Sequence, residues 1–117
     1  MTGWERAAPL IAKALKYQDE HDLDYVKREV EECRAQLWHG QQSIIVTRLV
    51  RRLDGLACVI WLASGRMGEL VEEMLPDVEA WAKTRGCVKI VIVGRKGWVR
   101  KLKRQYTATH VVLERAI

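Results

Sequence analysis

The chain has 117 residues, of which 49% are hydrophobic and 30% are charged, and its formal net charge is +5 at pH 7. This length and composition predict one globular domain, residues 1–117, and exclude both a disordered chain and a domain that needs disulfides to fold. No apolar stretch approaches the roughly 18 residues of a membrane-spanning helix, and the first residues do not resemble a signal peptide, so we expect a soluble, cytoplasmic protein.

The cysteines and histidines show no pattern typical of a disulfide framework or a metal site. They are Cys33, Cys58, Cys87, His21, His39 and His110. The number of cysteines is odd and none forms a CxxC pair, so we expect free thiols in a reducing compartment and no bound metal.

Two helices and then three strands are predicted in the first half of the chain. Apolar residues spaced four apart predict a helix over 5–17, with Pro9 in its first turns if the helix begins near residue 7 or 8. Asp22 is a favourable N-cap for a second helix over 23–34. Strands are predicted at 35–38, 43–51 and 56–63.

The third strand is apolar throughout, which places it in the middle of the sheet. Between the second and third strands, Asp54-Gly55 predicts a hairpin whose two central residues tolerate positive φ.

A crossover unit follows, in which a helix joins two parallel strands. The helix is predicted over 66–84, with Pro76 bending it or dividing it in two. The next strand, 87–93, is almost entirely apolar, which is typical of a strand covered on both faces. Because ligands bind beyond the carboxyl ends of parallel strands, the loop 94–97 is the first place to expect function. A helix over 97–105 and a strand over 109–114 complete the predicted order.

The positive charge of the protein is concentrated in one segment, residues 94–106. The rest of the chain has a net charge of −1. This segment has no acidic residue and six cations: Arg95, Lys96, Arg100, Lys101, Lys103 and Arg104. Three interpretations remain open: a solvated helix face, a surface that binds an acidic protein or the backbone of a nucleic acid, and support for the phosphates of a cofactor.

The predicted order ααβββαβαβ resembles the fold of the GCN5-related N-acetyltransferases (GNAT). The local likeness lies in the helix end AWAKTRGC, the strand VKIVIVG, the helix WVRKLKRQY and the strand THVVLE, which follow one another as in that family. The resemblance implies an α/β domain with a mixed sheet of about five strands and helices on both faces. The small size is also similar to that of GNAT-like proteins of phages and prophages.

The resemblance implies a site for acetyl-CoA between the ends of the two parallel strands. In the family, the diphosphate lies on the amides of a loop with the pattern R/Q-x-x-G-x-G/A, at the start of the next helix, where the helix dipole favours an anion. The matching segment here is 64–70, which keeps two glycines but not the full pattern. The implied cofactor-binding residues are Leu62, Ala63, Gly65, Arg66, Met67, Gly68 and Arg95. Glu69 is expected to place a carboxylate near the diphosphate unless it points away.

The catalytic groups that the resemblance implies are not evident. The family often uses a glutamate or an ordered water as base and a tyrosine in the last helix as acid. Here the tyrosine position matches Lys101, and the strand 56–63 contains no acidic residue.

The interpretation that results is a degenerate GNAT-like protein that binds a protein partner or itself through the six cations, with weak or no acetyl transfer and with either no cofactor or acetyl-CoA. The alternatives are an active acyl-CoA-dependent N-acyltransferase and a nucleic-acid-associated protein.

Overall fold

The computed structural model describes residues 3–18, 22–92 and 115. The elements, in chain order, are α1 (Gly3–Gln18), α2 (Leu23–Glu31), β1 (Gln36–His39), β2 (Ile44–Arg52), β3 (Gly55–Ser64), α3 (Met67–Glu69), a π-helical turn (Leu70–Met74), α4 (Leu75–Thr84) and β4 (Lys89–Ile92). Within these residues no helix is both long enough and apolar enough to cross a membrane.

The four described strands form one mixed sheet in the order β1-β2-β3-β4. The first three strands are antiparallel neighbours, whereas β3 and β4 are parallel, with Val59 opposite Val91 and Ile60 opposite Ile92. This confirms the predicted crossover, in which the helical run 67–84 joins two parallel strands.

Helices cover both faces of the sheet, as expected. On one face, α1 and α2 bury a core with the sheet: Ala7, Ile11, Ala14, Leu15, Val26, Ala35, Ile44, Val46, Trp61 and Leu62. On the other face, the helical run 67–84 packs on a second core: Ile45, Cys58, Ile60, Ala63, Leu70, Met74, Leu75, Val78 and Ala82.

A β-bulge in β3 changes which side chains face each layer. Val46 pairs with Leu62 and Thr47 pairs with Ile60, so Trp61 is an extra residue on β3. Two consecutive side chains, Trp61 and Leu62, therefore pack toward α1 and α2, and Ala63 returns to the layer that contains Ile60.

The hairpin between β2 and β3 is present, but its predicted centre was wrong by one residue. Arg52 pairs with Gly55, so Leu53 and Asp54 form the turn. The positive φ falls on Gly55 alone (φ 131°), where the chain re-enters the sheet. Asp54 forms a salt bridge with Lys89 at 2.8 Å, which connects this turn to the start of β4.

The predicted limits of the first two helices also need correction. The first helix begins at Gly3, so Pro9 lies in its interior; it is exposed, and water can replace the hydrogen bond that proline does not donate. The second helix is capped by Asp22, which accepts from the amide of Tyr25 at 2.8 Å. It ends at Glu31 rather than at residue 34, because Cys33 adopts φ 63° and the helical hydrogen bonding stops.

The helical run 67–84 changes from π-helical to α-helical hydrogen bonding at Leu75, one residue before Pro76, close to the predicted division. Proline lies in the first turn of α4, where its missing N–H costs least, and the wider π-helical turn precedes it.

The last described strand begins later and is more exposed than its apolar sequence indicates. It begins at Lys89 rather than at residue 87, Val88 before it is 59% exposed, and Lys89 is exposed; residue 93 lies outside the described residues. The expectation of a strand covered on both faces was therefore wrong for its first residues, which lie beside the hairpin turn rather than under a helix. The predicted helix 97–105 and strand 109–114 lie outside the described residues.

Candidate functional site

The candidate site lies where β3 ends and the helical run 67–84 begins. Ile60 of β3 pairs with Ile92, the last described residue of β4, and β3 ends at Ser64. Gly65 follows with φ 128°, and the helix starts at Met67. This is the segment that the resemblance to acetyltransferases selects.

Gly65 is required by a close approach between two loops. A Cβ built on it would lie 2.5 Å from the Cα and the Cβ of Ser43, and its positive φ is unfavourable for other residues. The close approach lets the Ser43 hydroxyl accept a hydrogen bond from the amide of Arg66 at 2.9 Å. The turn at Gly65 is thus held against the loop 40–43, which joins β1 and β2.

The first helical turn offers amides that have no acceptor within their own helix. In an α-helix the amides of the first turn have no acceptor within the helix, which here applies to Met67, Gly68 and Glu69. Gly68 is exposed, and a Cβ built on it would meet nothing within 4 Å. Unpaired amides and open space at a helix start form a suitable site for an anion.

The carboxylate of Glu69 is bound by the loop 40–43. It is only 6% exposed and accepts hydrogen bonds from the amides of Gln41 at 2.6 Å and Gln42 at 3.0 Å. The hydrogen bond from the Ser43 hydroxyl lowers the pKa of Glu69 most, and the two loop amides and the charge of Arg66 lower it further. The carboxylate is therefore buried against the loop 40–43, beside the Ser43 hydroxyl that accepts from the Arg66 amide.

The loop 40–43 is also held from its other side. Arg6 donates to the carbonyl oxygens of Gly40 and, at 2.6 Å, Gln41. A Cβ on Gly40 would lie 2.7 Å from the Met74 sulfur, so this position too accepts only glycine without rearrangement. Arg6 binds the carbonyl oxygens of the loop and Glu69 binds its amides. These two side chains fix the loop, and their opposite charges offset each other.

We expect Glu69 to make the fold sensitive to acid. A carboxylate with a lowered pKa in the folded state contributes stability above its ordinary pKa, about 4.5, and this contribution is lost as the pH falls through the folded pKa. Glu69→Gln should therefore unfold at a lower temperature than the wild type near neutral pH, and the difference should shrink as the pH falls below the ordinary pKa of about 4.5.

Thermal unfolding across this pH range measures the effect, with the exposed Glu72→Gln as the control that leaves the pH profile unchanged. A difference between Glu69→Gln and the wild type that is the same at every pH would contradict the expectation.

The predicted cofactor residues are only partly brought together. Gly65, Arg66 and Gly68 lie at the turn, Met67 follows Arg66 there, and Arg66 reaches the side chain of Gln42 at 3.4 Å. The side chain of Leu62 is fully buried in the core beneath α1, so only its backbone could contact a ligand. The side chain of Ala63 is buried on the opposite face of the sheet, in the core beneath the helical run 67–84. Arg95 and the other five cations, Lys96, Arg100, Lys101, Lys103 and Arg104, lie outside the described residues and stay predictions.

The sequence did not reveal the residues that support this site. Arg6 and Ser43 lie far from residue 65 along the chain and belong to no recognisable motif. Glu69 was noted only as an obstacle to an anion. A contact between loops more than twenty residues apart has no local signal in one sequence.

Two described thiols, Cys58 in β3 and Cys87 just before β4, are unsuited to nucleophilic chemistry. Burial, and secondarily the neighbouring Cys87, raise the pKa of Cys58 to about 11, and burial also raises the pKa of Cys87. A protonated, buried thiol is a poor nucleophile. Among the described residues no group of three potential ligands could hold a metal ion.

Comparison with solved structures identifies the fold. A ribosomal-protein-alanine N-acetyltransferase from Brucella melitensis biovar Abortus 2308 aligns with a TM-score of 0.61 and 19% identity, covering 97% of this chain and 89% of the other. A protein from Thermus thermophilus aligns with a TM-score of 0.61 and 15% identity, covering 97% of this chain and 92% of the other. An acetyltransferase from Trypanosoma brucei aligns with a TM-score of 0.62 and 8% identity, covering 97% of this chain and 91% of the other. The chain therefore has the GNAT fold. No protein-family model and no curated protein matches the sequence.

Proposed function

We propose that this chain binds an acyl-CoA by its diphosphate at the start of the helical run 67–84, and that it acts mainly by binding, with weak or no acetyl transfer. The fold is that of acetyltransferases, and two of the similar structures carry that name. At these identities the likeness concerns the fold alone, so the proposal depends on the residues of this chain.

The observation that carries the proposal is the direction of Glu69. If its carboxylate lay over the first helical turn, it would repel a diphosphate. Its hydrogen bonds to the loop amides instead hold it inside the protein and neutralise part of its effect, so it is not exposed over the first helical turn. Met67, Gly68 and Glu69 would hold the diphosphate with their amides, and Arg66 would add a positive charge beside it.

Weak transfer is proposed because β3 offers no group that could remove a proton from an acceptor amine. An acyl-CoA supplies the activated thioester, but a base must still deprotonate the amine. Between Gly55 and Ser64 the one ionisable side chain is Cys58, whose raised pKa keeps it neutral.

Titration calorimetry with acetyl-CoA tests the binding step, and pantetheine, which lacks the diphosphate, is the matched ligand. We expect a saturable heat and a higher unfolding temperature with acetyl-CoA and neither with pantetheine. No heat at millimolar acetyl-CoA would remove the proposal. Rapid release of the CoA thiol in the presence of amines would instead support the alternative, an active acyl-CoA-dependent N-acyltransferase.

The proposed macromolecular contact is the segment 94–106 with its six cations. A protein partner or a second copy of the chain is the first candidate, and a nucleic acid is the alternative. Affinity for nucleic acid that does not change between low and moderate salt would exclude phosphate contacts by these cations. Phage or prophage origin remains part of the proposal and depends on the resemblance alone.

A further inference from the structure

Arg48 lies in the middle of β2, on the face of the sheet that α1 and α2 cover. Val46 packs into the core beneath α1, and side chains two positions apart on a strand share a face. The Arg48 guanidinium carbon lies 3.9 Å from the ring centroid of Trp61. Tyr25, from α2, meets the same ring edge-on, with centroids 6.0 Å apart. One arginine thus lies on an indole that two other elements hold in place.

The bulge in β3 creates this arrangement. Without the extra residue, alternation would place Trp61 and Leu62 on opposite faces of the sheet. The bulge directs both toward α1 and α2, so the large ring of Trp61 is 5% exposed and forms a floor beneath Arg48. A bulge that redirects a side chain in this way is common beside binding sites.

Within the part of the chain that the structure describes, Arg48 forms no side-chain hydrogen bond. Its Nε is buried and has no hydrogen-bond partner, and within residues 3–18, 22–92 and 115 the guanidinium forms no ion pair. Stacking on an indole satisfies the face of the cation but none of its N–H donors, which point outward in the guanidinium plane. Buried donors without partners are uncommon in folded proteins, and functional sites are one place where they persist.

We propose that Arg48 on the Trp61 ring is a binding site for the carboxylate group of a small molecule. A stacked guanidinium presents a planar fork of donors, and a carboxylate matches that fork with two parallel hydrogen bonds. Arg48 lacks both a counter-charge and hydrogen bonds among its described neighbours, and a carboxylate on its two terminal NH2 groups would supply both, while the buried Nε stays covered. The site lies on the opposite face of the sheet from the helical run 67–84 and does not depend on acyl-CoA binding.

A site for packing alone would not need an arginine. The side chain of a lysine or a methionine would cover the Trp61 ring equally well. Neither of them could bind a carboxylate through two parallel hydrogen bonds. The two roles therefore predict different responses to ligand, which an experiment can separate.

The test follows the Arg48 Nε–H signal in ¹H–¹⁵N NMR spectra of the full chain without acyl-CoA. The signal is assigned by its loss in Arg48→Lys. Acetate, glycine and succinate are the carboxylate probes, glycinamide is the matched probe without a carboxylate, and inorganic phosphate tests the other common anion. We expect saturable shifts with at least one carboxylate and none with glycinamide.

Two variants and one control complete the design. Arg48→Gln, which keeps a planar group but no charge, should weaken carboxylate binding by at least about tenfold, and Arg48→Lys should weaken it although the charge remains. Arg52→Gln removes an exposed arginine from the same strand and should leave binding unchanged. For the Arg48 variants, binding is followed by the neighbouring indole signals.

Any of four results would overturn the proposal: no saturable shift at about 50 mM carboxylate, equal shifts with glycinamide, tighter binding of phosphate than of every carboxylate, or equal loss in Arg52→Gln. If Arg48→Gln does not fold, Arg48→Lys and the wild-type titrations still decide. Because acyl-CoA is absent throughout, these outcomes are independent of the calorimetry proposed above.

Discussion

Gly65→Ala should destabilise the fold by about 3 kcal/mol or more. The new methyl group would be placed 2.5 Å from the Cα of Ser43, which is backbone and cannot move aside as a flexible side chain would. The positive φ of 128° adds strain for any residue with a Cβ. Relief requires the turn after β3 to separate from the loop 40–43, and this breaks the hydrogen bond from the Arg66 amide to Ser43.

Urea denaturation followed by circular dichroism measures this loss, and Gly68→Ala is the matched control three residues away. A Cβ at Gly68 meets open space, and alanine favours a helix more than glycine does, so we expect no destabilisation and a gain of up to about 1 kcal/mol. Equal effects of the two substitutions would show that the approach between Gly65 and Ser43 is not a tight contact in solution.

Gly68→Asp should separate stability from cofactor binding. A carboxylate in the first turn interacts favourably with the helix dipole, so the unfolding temperature should not fall. The same carboxylate would stand where the amides are proposed to hold a diphosphate, and repulsion between the two anions should weaken acetyl-CoA binding by at least about tenfold. A variant that folds at least as well as the wild type but binds acetyl-CoA more weakly is the expected outcome.

Calorimetry with acetyl-CoA and thermal unfolding without ligand measure the two effects, and Gly68→Ala tests the methyl group without the charge. If Gly68→Asp binds acetyl-CoA as tightly as the wild type, the diphosphate does not lie at this helix start. If Gly68→Ala weakens binding as much as Gly68→Asp, size rather than charge is the cause. Either result would place the anion elsewhere or require another explanation for its recognition.

Most of the fold could be predicted because it depends on local patterns. The N-cap at Asp22, the apolar run of β3 and the break at Pro76 each reflect the chemistry of a few neighbouring residues. The order of helices and strands then pointed to the acetyltransferase fold, which the structural comparison confirms. The errors were also local: Pro9 was placed too close to the helix start, and the hairpin was centred on Asp54-Gly55 instead of Leu53-Asp54.

The candidate site was predicted in position but not in mechanism. The segment 64–70 was selected from the sequence, yet the orientation of Glu69 decides whether that segment can accept an anion. That orientation depends on amides of Gln41 and Gln42, which are 28 and 27 residues away. Leu62 was included because it lies near the end of the strand, but the bulge at Trp61 directs its side chain into the opposite core.

By itself, the sequence determined where helices and strands form and which strand lies at the centre of the sheet, because hydrophobic periodicity and capping act within a few residues. Tertiary structure alone decided which groups meet: Arg6 and Glu69 on the loop 40–43, Ser43 on the turn at Gly65, and Arg48 on Trp61. The physical reason is that these contacts join segments brought together only when the sheet pairs and its bulge sets the register. Short-range propensities carry no information about such pairings.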